Sequence, residues 1–217
     1  MNSQTRREIR LGLIALPLSG LLLTLGAAVR GPVNLPELAS YIIQAARSPN
    51  YVPGWTIILV GFVLHLYGTF GLYRYLSYQG DNLIAFLAFV LRTAGIALFA
   101  PLFTFLAVSG PVIADLYQQG NHEVIALVEA NFSSGLGLAL LGVAAGAATM
   151  GLLLFATAIW RDGRLPKWTA VLLVLAFLLQ LPPDIVAIEL LGLVFLTIST
   201  GMIAWIGWQE SVTGTGQ

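Results

Sequence analysis

Along the chain, apolar residues come in long blocks, and polar residues gather in the gaps between them. The blocks at about 11–29, 55–73, 83–109, 134–160, 168–181 and 185–208 predict six helices. A helix rises about 1.5 Å per residue, so blocks of this length suit a bilayer crossing. The block at 168–181 is short and needs its flanking residues to reach across. Two of the gaps carry a helical pattern of their own. Between Arg30 and Pro53, Asn34 and Pro36 suit a helix start, and Leu38, Tyr41, Ile42 and Ala45 recur at i, i+3, i+4 and i+7. After Asn121, the apolar residues Val124, Ile125, Leu127 and Val128 stand against the polar residues His122, Glu123 and Glu129. Each predicts a short amphipathic helix lying at the lipid surface or capping the bundle, the first being either that or a lid over a central cavity. Pro182–Pro183 breaks the chain before the last block, and the polar, Gly/Thr-rich segment 210–217 is expected to be disordered. The expected fold is all-α: one polytopic transmembrane bundle over 1–209.

Composition narrows the class. Apolar residues make up 58% of the chain, charged residues 9%, and the mean hydropathy is +0.86. A water-soluble globule of 217 residues could not bury that much hydrocarbon, so the lipid bilayer is the expected partner. The formal net charge of zero gives no reason to expect nucleic acid. The absence of cysteine removes disulfides, thiolate metal sites and iron–sulfur ligation. Basic residues are unevenly placed. With the N-terminus inside, seven (Arg6, Arg7, Arg10, Arg74, Arg161, Arg164 and Lys167) fall on the inner surface, and only Arg30 and Arg47 fall on the outer loops. That is the positive-inside pattern, so six spans with both termini in the cytoplasm and both short helices outside are expected. The tryptophans at 55, 160, 168, 205 and 208 fall at span ends, as interface anchors do. The first block could also be read as a signal peptide, with Gly26 and Ala28 as small residues at a cleavage site, but its length favours a retained anchor.

The chemistry available to such a bundle is sparse. No HExxH, GxSxG or Walker A pattern occurs, and one intraspan histidine cannot supply bis-histidine haem ligation within one chain, so no cofactor is expected. Three ionisable residues remain: His65, Arg92 and Glu189. Two registers are open for Arg92. In one, His65 and Arg92 each lie about ten residues, or roughly 15 Å, into their helices. A central arginine costs about 2.5–3.5 kcal/mol and requires a partner, for which Glu189 is the best carboxylate and Thr93 and Gln180 are weaker neighbours. In the other, the apolar run from Thr93 to Ala114 crosses by itself, and Arg92 snorkels at the inner surface. In the fourth block, Gly142 and Gly146 form a GxxxG pair, which predicts a close helix contact within the chain or across a homo-oligomer seam.

The segment Ala156-Thr157-Ala158-Ile159-Trp160, followed by a polar turn with Leu165-Pro166-x-Trp168, resembles a family of small polytopic bacterial membrane proteins known only as a domain of unknown function. The resemblance implies a bacterial inner membrane, a helical bundle of this size and no assigned activity. The leading functional expectation is therefore a non-enzymatic membrane module, as a scaffold or as an accessory subunit beside a membrane-protein partner. A small-solute or proton transporter with a polar centre at His65, Arg92 and Glu189 is the alternative, and an intramembrane enzyme the third.

Overall fold

The computed structural model describes residues 3–33, 37–80, 82–179 and 186–213. They form α1 (Ser3–Arg30), α2 (Leu38–Ala45), α3 (Tyr51–Ser77), α4 (Leu83–Gln118), α5 (Glu123–Ser133), α6 (Gly135–Asp162), α7 (Lys167–Leu179) and α8 (Val186–Thr213), with no strand among the described residues. Five of them, α1, α3, α4, α6 and α8, are long and apolar enough to cross a membrane. α7 is apolar but has 13 residues. At about 1.5 Å per residue it extends roughly 20 Å, short of a hydrocarbon core of about 30 Å. The expected break at Pro182–Pro183 lies outside the described residues.

Several helices outrun their apolar blocks, for local reasons. α4 contains both Pro101 and Pro111, because each proline removes one donor without ending the ladder around it. Its start is fixed by Asn82, whose side chain accepts from the Ala85 amide at 3.0 Å. α8 continues through Thr213, so residues 210–213 are helical and not part of a disordered tail. Tyr75 of α3 donates to Glu210 Oε2 at 2.9 Å and ties down that last turn. α6 ends at Gly163, whose φ of 77° supplies the left-handed residue that turns the chain toward α7.

Backbone-close packing of small residues holds the bundle together. Along α1 and α3, Gly12 faces Gly71, Leu16 faces Gly68, Leu23 faces Gly61, Gly26 faces Ile58 and Arg30 faces Gly54. Partner numbers fall as the others rise, so the two helices are antiparallel. Gly54, Gly61 and Gly68 recur every seven residues, as in a left-handed pair crossing at about 20°. A Cβ added to Gly71 would sit 2.5 Å from Gly12 Cα, closer than real atoms approach. α8 pairs with the other side of α1, also antiparallel: Gly20 meets Thr197, and Leu13 meets Gly207. The beginning of α1 and the end of α8 therefore share one end of the bundle, where Arg10 lies over the Trp208 ring at 5.0 Å. α4 and α6 touch backbone to backbone where Gly95 meets Ala148 and Gly151 meets Arg92.

Gly142 and Gly146 do not take part. A Cβ at either would meet nothing within 4 Å, so the close contact expected of the GxxxG pair is not made there within the chain. The α4–α6 contact instead lies one turn further along, on the face of Ala148 and Gly151. Trp55 also departs from expectation. It is 2% exposed, stacked on Phe103 at 5.4 Å and roofed by the Arg30 guanidinium at 4.8 Å. The short helix α2 buries Leu38, Ala39, Tyr41 and Ile42, so its apolar stripe is spent within the bundle.

These contacts predict an ordering of glycine substitutions. Gly71→Ala should cost about 1–3 kcal/mol by overpacking against α1, whereas Gly142→Ala should change stability by no more than about 0.5 kcal/mol. Thermal unfolding of both variants in detergent measures this, and the reverse order would contradict the packing described.

Candidate functional site

His65 sits near the middle of α3, and the seven-residue recurrence that places glycines against α1 sets Ser19 opposite it. The ring is 4% exposed. Arg92 reaches it from α4, donating from Nε at 3.4 Å and facing the same atom, Nε2, with Nη2 at 3.3 Å. Arg92 Nη1 donates to the Ala148 carbonyl of α6 at 3.1 Å, which the backbone approach of α4 and α6 makes possible. On the other side, His65 Nδ1 lies 3.1 Å from Ser19 Oγ, and Ser19 Oγ in turn donates to the Leu16 carbonyl at 2.6 Å. One assignment satisfies the whole chain of donors. Arginine has no acceptor, so Nε2 must accept, Nδ1 carries the proton, and Ser19 Oγ accepts it while giving its own hydrogen to Leu16. The imidazole is neutral in this arrangement.

Of the three ionisable residues singled out in the sequence, His65 and Arg92 are therefore brought together and Glu189 is not brought to them. Glu189 Oε1 instead lies 2.6 Å from Nη2 of Arg30, with the two side chains 17% and 7% exposed. The antiparallel register of α1 and α8 dictates this: it sets the last turn of α1 beside the first turn of α8, far along α1 from Ser19. Among the described residues no carboxylate comes within ion-pair range of Arg92. Thr93 Oγ1 is buried and finds no partner among them; Gln180 lies outside the described residues.

Beside His65 and Arg92 is a cavity of about 20 Å³, lined also by Thr69 and Thr200 and walled by apolar side chains such as Leu152 and Phe155. That volume holds about one water molecule. Both threonine hydroxyls donate to carbonyls of their own helices, Thr69 to Leu66 at 2.8 Å and Thr200 to Leu196 at 2.7 Å. The arrangement can hold a proton at Nδ1 and fix a guanidinium, the Ser19 hydroxyl donates to a backbone carbonyl, and the space beside the ring is that of about one water. No group of three His, Cys, Asp or Glu side chains able to hold a metal occurs among the described residues.

A second polar group closes the other end of α1. Arg30 Nη1 donates to the Gly31 carbonyl at 3.0 Å, and Tyr41 of α2 is packed beside Tyr51, ring centroids 6.1 Å apart. Burial pushes the Tyr41 phenol above its usual pKa, with the nearby Arg30 charge opposing that shift. Reasoning from sequence missed Ser19, Arg30 and the Ala148 carbonyl. Gly12, Ser19 and Gly26 recur every seven residues, as do Gly54, Gly61 and Gly68, and that shared spacing is the signal that could have paired Ser19 with α3.

The site thus belongs to an all-α apolar bundle of the membrane-protein type, with its polar groups spent on one another. No protein-family model, curated protein or solved structure matches the chain.

Two double-mutant cycles separate the pairs. Arg30→Leu with Glu189→Gln should show a coupling of about 0.5–3 kcal/mol, because removing either partner strands the other in a buried site. Arg92→Leu with Glu189→Gln should be additive within about 0.5 kcal/mol. Stability in nanodiscs measures both, and coupling in the second cycle without coupling in the first would contradict the placement of Glu189.

Proposed function

We propose that this chain is a non-enzymatic module of a bacterial inner membrane, a scaffold or accessory subunit, crossing it six times with both termini in the cytoplasm. The observation that carries this reading is the way the intraspan ionisable groups are used. Arg92 is consumed by His65 and the Ala148 carbonyl, Glu189 is consumed by Arg30, and the space beside His65 admits about one water. A transport site needs a polar group that a solute can reach, and neither pair offers one. The expected polar centre of His65, Arg92 and Glu189 is split into two locked pairs, each of which ties helices together.

Six crossings are supported by register and by charge. α8 runs antiparallel to α1, which favours an even number of crossings, and we take the apolar helix α7 as the one beyond the five long helices. The basic residues expected inside gather at the end where α1 begins and α8 finishes. There Arg74 approaches Glu8 at 3.7 Å, Arg164 chelates Asp162 at 2.7 and 2.8 Å, and Lys167 lies over Trp160 at 5.1 Å. The resemblance carried by Leu165-Pro166-x-Trp168 agrees with the membrane and with the lack of an assigned activity.

Reconstitution tests the reading. Proteoliposomes under an imposed potential, with a pH-sensitive dye inside, should show no proton flux above protein-free vesicles. His65→Leu should lower thermal stability and change no flux. A flux that disappears in His65→Leu would overturn the proposal in favour of transport.

A further inference from the structure

The small cavity beside His65 is where α1, α3, α4, α6, α7 and α8 all meet, with Leu16, Thr69, Arg92, Leu152, Leu173 and Thr200 each giving it a wall. It measures about 20 Å³, above the roughly 10–15 Å³ that one water molecule needs. Its polar groups divide by hydrogen-bonding sense. Arg92 is the donor side. Of the five N–H groups of an arginine, one on Nε and one on Nη2 face His65 Nε2, and one on Nη1 goes to the Ala148 carbonyl. Nε2 has a single lone pair to share between its two contacts, and the second N–H on Nη1 and on Nη2 meets no acceptor among the described residues. Thr69 and Thr200, both 2% exposed, are the acceptor side. Each gives its hydroxyl hydrogen to a carbonyl of its own helix, Leu66 and Leu196 respectively, so each oxygen has only lone pairs left for a further partner.

We infer that this cavity is a binding site for one water molecule, which accepts from the Arg92 guanidinium and donates to Thr69 Oγ1 and Thr200 Oγ1. The chemistry of the wall selects it. An anion can only accept, so it would be drawn to Arg92 but would meet the lone pairs of two threonine oxygens. A cation would meet the guanidinium, a like charge. An apolar guest would leave charged N–H groups unpaired where little else can solvate them, which is the costly outcome inside an apolar bundle. Water carries both senses at once, two lone pairs and two hydrogens, and buried waters typically make about three hydrogen bonds. The bound molecule extends the reach of Arg92. Its direct partners lie on α3 and α6, and the water adds α8 through Thr200. The inference concerns the same cavity as the functional reading above, but it holds whether or not the bundle conducts protons, because occupancy is read from density and not from flux.

Diffraction from crystals grown in a lipidic mesophase with chloride as the salt anion tests it, with data also collected at long wavelength, where chlorine scatters anomalously. One water peak is expected within about 3.2 Å of an Arg92 Nη atom and of both threonine Oγ1 atoms, without anomalous signal. An anomalous peak there would overturn the inference in favour of an anion site. A dry cavity, or a peak out of reach of either threonine, would overturn it as well. Thermal unfolding in nanodiscs gives an independent reading. No printed bond joins the two hydroxyls to each other, so coupling between them must pass through the shared water. The Thr69→Val/Thr200→Val variant should therefore lower the melting temperature by less than the sum of the two single shifts, because each single variant already loses that water. Thr24→Val with Thr200→Val, where the Thr24 hydroxyl bonds only to the Gly20 carbonyl, should add. Strict additivity in the first pair would overturn the inference.

Discussion

A guanidinium inside an apolar bundle is the constraint on which the arrangement of the other helices depends. Arg92 brings a permanent positive charge and five donors, and an uncompensated charge of that kind costs about 2.5–3.5 kcal/mol on insertion scales. Among the described residues this is met without a carboxylate. Three donor contacts go to the His65 ring and the Ala148 carbonyl, dipoles oriented toward the charge. Each demands a helix in a fixed place. α3 must turn His65 toward α4, and α6 must come close enough for Gly151 to lie against the Arg92 backbone. α1 must supply Ser19, so that the imidazole keeps its hydrogen on Nδ1 and presents a lone pair at Nε2. The glycines at 54, 61, 68 and 151 are thus the packing counterpart of one buried charge.

Glu189 illustrates the opposite economy. Two long charged side chains neutralise each other where α1 ends and α8 begins, and the Arg30 guanidinium lies over the Trp55 ring. Such a pair contributes little net stability against an apolar replacement, yet losing one member is costly. Its role is to set register, since sliding α8 by one turn along α1 would separate Arg30 from Glu189 and Leu13 from Gly207. The two locked pairs and the glycine contacts fix the positions of α1, α3, α4, α6 and α8.

Much of the architecture was legible in the sequence because lipid solvation imposes a simple rule: long apolar blocks become helices. The stripe Leu38, Tyr41, Ile42 appears as a helix with those residues buried. Helix ends were less legible. α8 extends to Thr213 because Tyr75 holds Glu210, a contact between residues far apart in the chain. The site was half legible. His65 and Arg92 were found as intraspan ionisable residues and do meet. Glu189 is the best carboxylate for Arg92 by charge, but the register of α8 along α1 sets it beside Arg30, far along α1 from Ser19. Gly142 and Gly146 drew attention by their motif, but GxxxG marks only a smooth surface, and the closer contacts use Gly95, Ala148 and Gly151.

The central claim is that a neutral His65, protonated at Nδ1, accepts from Arg92. Nitrogen-15 NMR of the ring in lipid nanodiscs, with His122 signals identified in a His122→Asn variant, tests it most directly. At neutral pH, His65 should show a protonated Nδ1 and a bare, hydrogen-bonded Nε2, and the Nε2 resonance should shift toward the free-imine position in Arg92→Leu. A ring protonated at Nε2, or an Nε2 resonance indifferent to Arg92→Leu, would contradict the account.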